Sequence, residues 1–230
     1  MKPFIKIISI VLAVMIFITL CSCKEKEEEI PPREYVESEV IENATALLEG
    51  AKDINRILWG VGILPTESDE GTGGVYLECA KEDMARYGIE CVEDIRTLCK
   101  TYYSGAVCQT VENTVLGNVR DENESILSLV RYYDKTDKET NVSTLMVHTE
   151  AKVYFEKEVT YHTETLKIKE VRGEVIYLTV NVTVYDENDA PYQRVLTFSL
   201  LEEESGWRLH SPTYMKYDPY ADIYDNLTKN

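Results

Sequence analysis

The sequence predicts an α+β fold, with helices first and an antiparallel β-meander afterwards that the helices cover. Three observations carry this expectation. Apolar residues recur at helical spacing from Val36 to Leu58, and they do so again from Cys91 to Tyr103. From Ile176 onward they alternate with period two, through Leu178, Val180, Val182 and Val184. Long strands joined by short turns need one face covered, and the N-terminal helices supply the cover.

The chain opens with Lys2 and Lys6 and no acid, followed by a nearly continuous apolar run from Ile7 to Leu20. That is a basic n-region and an h-region of signal-peptide length. As a helix the run covers roughly 20 Å, short of the ~30 Å hydrocarbon core. It ends in Leu20-Cys21-Ser22-Cys23, which resembles the bacterial lipoprotein signal, with Leu at −3, a small Ser at −1 and Cys at +1. A thiolate is the nucleophile that accepts a diacylglyceryl group. Cys23 is therefore the expected lipid attachment site, residues 1–22 the removed signal, and the outer face of the cell membrane the location. The alternatives are an ordinary secretory signal or an uncleaved anchor.

Residues 23–34 contain the charged run Lys24–Arg33 with Pro31-Pro32 and no core-forming pattern, so they read as a tether. A single domain is expected at 35–217 and a tail at 218–230. Without residues 1–22 the chain keeps 22 basic and 41 acidic residues, a net −19. Such acidity disfavours nucleic acid and anionic lipid headgroups as ligands. Hydrophobic content of 44% with 16 Tyr argues for an ordered globule.

Within the domain, the Val36–Leu58 helix stops at Gly60, and Trp59–Gly74 reads as a loop with an acidic tip at Ser68-Asp69-Glu70. Val75–Cys79 is a short strand, Cys91–Tyr103 a helix, and Gly105–Leu116 a further helix capped by Ser104. Leu129–Tyr133 and Ser143–His148 read as strands. In Val153–Tyr161 the residues Val153, Phe155, Val159 and Tyr161 share a face, and Leu166–Val171 leads into the turn at Arg172-Gly173. Turns at Asp186–Pro191 and Glu202–Gly206 then separate the strands bearing Leu196, Phe198 and Leu200 and, last, Trp207 and Leu209.

Outside the reducing cytosol, Cys79, Cys91, Cys99 and Cys108 are free to form disulfides, in any of three pairings. Proximity along the chain favours Cys79–Cys91 and Cys99–Cys108; free buried thiols are the alternative. Their spacings contain no CxxC knuckle, which speaks against zinc.

The segments Val92-Glu-Asp-Ile-Arg-Thr-Leu-Cys-Lys-Thr-Tyr-Tyr, Ser104-Gly-Ala-Val and Glu204-Ser-Gly-Trp-Arg-Leu, with the helix from Val36, span most of residues 36–215. They resemble the NTF2-like lipoproteins of Gram-positive bacteria, most closely the D,L-endopeptidase inhibitor family. The resemblance implies a cone-shaped fold in which helices pack on a curved meander. It also implies a non-enzymatic role as a cell-wall hydrolase inhibitor, without a cofactor. The extra cysteines and the lipid anchor depart from that pattern, and no functional residue carries over individually.

Catalytic motifs are missing from the sequence: there is no HExxH, GxSxG or SxxK element. Asp186-Glu187-Asn188-Asp189 lacks the glycine and the final Glu of a calcium loop and reads as a hairpin. Three functions remain. The first is a surface-tethered regulator of cell-wall hydrolases, with Asp69 and Glu70 entering a cationic cleft. The second is a module that holds a small ligand under a tyrosine-rich sheet around Tyr177. The third is a wall-active enzyme that pairs Cys108 with His210.

Overall fold

A computed structural model of the chain describes residues 35–66, 75–116, 130–186 and 188–214, all within one compact unit, Glu34–Asn230. The first apolar stripe folds as two helices, α1 (Glu37–Gly50) and α2 (Lys52–Leu58), rather than one. The joint is Ala51, at φ −81° and ψ 0°. The turn-to-turn bonding survives it: Ala51 N–H donates to Leu47 O and Asn55 N–H to Ala51 O, both at 2.9 Å. The buried stripe therefore continues through Val40, Ala44, Leu48, Ala51, Ile54, Ile57 and Leu58.

After β1 (Tyr76–Glu78) comes α3 (Lys81–Tyr87), a helix the apolar pattern does not announce, since none of its residues is buried. Its signals are at the ends. Glu82 and Asp83 occupy the first turn and Arg86 the last, and Gly88 closes it in the left-handed conformation at φ +65°. Helices α4 (Val92–Tyr102) and α5 (Gly105–Thr114) follow, close to their expected bounds. At the start of α4, the Asp94 carboxylate accepts from the backbone N–H groups of Glu90 at 2.8 Å and Cys91 at 3.0 Å.

The strands are β2 (Tyr132–Thr136), β3 (Ser143–His148), β4 (Thr160–Arg172), β5 (Val175–Tyr185), β6 (Pro191–Glu203) and β7 (Gly206–Leu209). The single meander expected from sequence is instead two antiparallel sheets, ordered β1-β3-β2 and β4-β5-β6-β7. The physical reason lies in residues 149–159, which form no strand. There Tyr154 N–H donates to Trp59 O at 2.8 Å, tying the chain to the end of α2. The apolar spacing from Val153 to Tyr161 thus belongs mostly to irregular chain, with Val153 exposed and only Val159 and Tyr161 buried. β2 begins three residues later than Leu129, and β3 keeps its expected limits.

Strand β5 buries Ile176, Leu178, Val180, Val182 and Val184 in strict alternation. Helix α1 lies against β4 and β7, while α4 touches β7 and β2 and so links the two sheets. The outer face of the larger sheet keeps Tyr177 and Thr179 half-buried and leaves Val195 exposed. Among the described residues no helix is long and apolar enough to cross a membrane.

Candidate functional site

The α4–α5 hairpin turns at Tyr103-Ser104, and this turn is fixed from the far end of the chain. Ser104 N–H donates to Leu209 O at 2.9 Å. The Ser104 hydroxyl does not cap α5 as expected; it pairs with His210 Nδ1 at 2.8 Å. Ser104 is fully buried, so this Ser–His pair joins α5 to the chain beyond β7 rather than presenting a nucleophile. Across the helices, Arg96 of α4 grips Glu112 of α5 through two bonds of 2.7 Å and reaches Glu93 at 3.1 Å.

Between these fixings, Cys99 Sγ and Cys108 Sγ stand 3.4 Å apart. Both residues line a half-open cavity of about 550 Å³, whose wall also includes Arg96, Glu112, Gly105 and Glu203. The two thiols are unequal. The contact with Cys108, followed by burial, pushes the Cys99 thiol up, and the same contact pulls the Cys108 thiol down. Either sulfur can donate in this contact, and Cys108 Sγ also reaches Tyr103 O at 3.5 Å.

The other expected pair is arranged differently. Cys79 sits in the core, where burial and nearby Asp83 push its thiol up to about 12. Cys91 precedes α4 with its Sγ 3.4 Å from Asp94 Oδ2. All four cysteines are free thiols in the structure, and only Cys99 and Cys108 are brought into sulfur contact among the pairs described. Alkylation under denaturing conditions without reductant, on protein from an oxidising compartment, should leave Cys99 and Cys108 unlabelled in the intact mass. A label on each would eliminate this bridge. Closing the ten-residue loop constrains the unfolded chain by about 3 kcal/mol.

Cys23, Asp69 and Glu70 lie outside the described residues. The Cys108–His210 pair weighed from sequence does not form: Cys108 also meets Tyr103 O, at 3.5 Å, and His210 meets Ser104. His162 Nε2 pairs with Thr183 Oγ1 at 2.8 Å. Asp186 closes the β5–β6 hairpin, its Oδ1 accepting from Asn188 and Ala190 N–H at 2.8 Å. Among the described residues no three His, Cys, Asp or Glu side chains are grouped as metal ligands.

Sequence reasoning passed over Arg131 and Asn55. Arg131 was legible as a lone cation between Val130 and Tyr132 in an apolar run, and it lines a second cavity, of about 270 Å³. Tyr177 lines neither cavity. The chain matches no family model, no curated protein and no solved structure in comparisons with known proteins.

Proposed function

We propose that this chain is a lipid-anchored surface protein that acts by binding, with an NTF2-like cone as its finer architecture and a cell-wall D,L-endopeptidase as its partner. The observation that carries the reading is the Leu20-Cys21-Ser22-Cys23 stretch behind a basic and then apolar leader. An acyl group on Cys23, joined by the tether to an acidic domain, holds that domain near enzymes that work on the wall. The partner itself rests on resemblance, an analogy of pattern and fold. Asp69 and Glu70, as an acidic tip, are the residues proposed to meet a cationic cleft.

Two measurements test this reading together. Cys23→Ala should move the protein out of the lipid-labelled membrane fraction. Mature protein added to peptidoglycan digestion by secreted D,L-endopeptidases should inhibit at a one-to-one ratio. Retention of the variant in that fraction defeats the anchor, and unchanged digestion defeats the inhibitor role.

A second reading, a surface module that holds a small ligand, is favoured by the two cavities of about 550 and 270 Å³.

A further inference from the structure

The larger cavity, of about 550 Å³, is lined by a pair of sulfurs from the α4–α5 hairpin. Cys99 comes from α4 and Cys108 from α5, with their Sγ atoms 3.4 Å apart. Cys108 is half-buried, and Cys99, 1% exposed, is the inner of the two. The hairpin is held on both sides of the pair. Arg96 binds Glu112 through two bonds of 2.7 Å, while Ser104 N–H donates to Leu209 O at 2.9 Å and Ser104 Oγ meets His210 Nδ1 at 2.8 Å. Two sulfurs held at one separation on two tied helices are a pre-organised pair of ligands.

Ligand chemistry narrows what this pair can hold. Two metal–thiolate bonds of about 2.3 Å span sulfurs up to ~4.6 Å apart, so one ion can reach both. Among the described residues no His, Asp or Glu joins the two sulfurs to make a group of three. Zinc in a structural site takes four such ligands and is not served by two. The carboxylates on the cavity wall are occupied, Glu112 by Arg96 and Glu203 by the Gly105 N–H at 3.0 Å. Oxygen-seeking calcium, magnesium and manganese therefore find no grip. Cu(I) differs on each point. It is soft, it is selected by thiolates, and it is satisfied by two or three ligands. It is also smaller than a water molecule, so the burial of Cys99 does not bar it.

We infer that Cys99 and Cys108 form a Cu(I) site, the ion bonded to both sulfurs with its open side toward the cavity. Binding breaks two S–H bonds and forms two S–Cu bonds, and both protons pass to solvent with no change of oxidation state. One Cu(I) on two thiolates carries a single negative charge, which Lys100 on the same wall offsets. The ion and a Cys99–Cys108 bridge exclude one another, because the bridge takes the same two sulfurs. The inference stands on the sulfur pair and its cavity and is independent of the endopeptidase reading.

The test uses the full chain in detergent solution, reduced and free of oxygen, with Cys21→Ser and Cys23→Ser so that the domain supplies the thiols. Cu(I) is offered as its bicinchoninate complex, whose colour reports the ion that the protein removes. One Cu(I) per chain should transfer, and X-ray absorption at the copper edge should show two sulfur neighbours. Cys99→Ser or Cys108→Ser should weaken uptake by roughly 100-fold or more, beyond what loss of a supporting partner of a metal ligand costs. Cys91→Ser should leave uptake unchanged, and Zn(II) at equal concentration should not displace the copper. Failure of Cu(I) to transfer, undiminished uptake by both single variants, or zinc binding as tight as copper overturns the inference. If the single variants fail to fold, closing the Cys99–Cys108 bridge with diamide in the same chain, confirmed by intact mass, decides. The bridge should abolish uptake, and uptake that survives it overturns the site.

Discussion

Gly62→Ala should destabilise the domain by about 2–5 kcal/mol, which is large for the addition of one methyl group. Two independent terms add. Gly62 has φ +78°, a left-handed conformation that costs a residue with a Cβ about 1–2 kcal/mol. A Cβ there would also fall on Tyr132 Oη and within 2.5 Å of Arg131 Nη2. Neither atom is free to retreat. Tyr132 Oη donates to Ile57 O at 3.1 Å and accepts from Ile63 N–H at 2.9 Å, and Arg131 Nη2 holds Gly60 O. Relief of the clash therefore breaks buried hydrogen bonds, an overpacking cost of about 1–3 kcal/mol. Gly88→Ala is the built-in control. Its φ is +65°, and nothing lies within 4 Å of the added methyl, so it reports the backbone term alone. In urea unfolding, a Gly62→Ala midpoint no lower than that of Gly88→Ala would refute the close-packing argument.

Asn55→Leu should cost about 2–4 kcal/mol, although the side chain keeps much the same volume. Asn55 is buried within the apolar stripe of α2, and it is the hub of a polar network that joins distant parts of the chain. Its Oδ1 accepts from Tyr103 Oη, and its Nδ2 donates to Thr213 Oγ1 at 2.9 Å. Thr213 in turn takes Tyr161 Oη on its carbonyl at 2.8 Å and meets Tyr103 Oη at 3.1 Å. Removing the hub takes a partner from Tyr103 Oη at the C-cap of α4 and from Thr213 Oγ1 in the chain after β7, both buried. Adding Tyr103→Phe to Asn55→Leu should cost less than the sum of the single changes, by about 1 kcal/mol, because the second change deletes a stranded partner. Strict additivity would show that the network is not coupled. Burial pushes Tyr161 up to about 12 from its ordinary 10.0. The folded state then holds its proton where the unfolded state releases it. The stabilisation from Tyr161 is complete below pH 10.0 and is lost as pH rises toward 12.

Periodicity was a sound guide wherever one face of an element meets the core. β5 shows this best, since every second residue from Ile176 to Val184 is buried. It failed where other forces shape the chain. Helix α3 carries no stripe and is specified by charges and a left-handed glycine at its ends, which apolar spacing cannot register. The spacing of Val153, Phe155 and Val159 imitates a strand, but the chain there follows the end of α2 through the Tyr154–Trp59 bond. The division into two sheets was hidden for the same reason, because it depends on a stretch that looks extended and is not paired. Of the candidate site, the thiol pair could be read from the short separation of Cys99 and Cys108. The cavity around Arg131 could not, since its wall combines residues from 58 to 154 that only tertiary folding assembles.

The thirteen-residue strand β4 is paired only with β5 among the described strands, so its other side offers backbone groups to any neighbour. Proteins fixed by lipid to one plane meet each other at high local density and in similar orientations, conditions that favour edge-to-edge sheet growth. β4 counters this in two ways. Its register shifts between His162 and Lys167 and again between Ile168 and Glu170, which bends the ladder a second copy would have to match. Lys167, Lys169, Glu170 and Arg172 also place charge along it. These irregularities oppose edge-to-edge pairing of β4 with a second copy, a protection that matters most where identical domains are crowded.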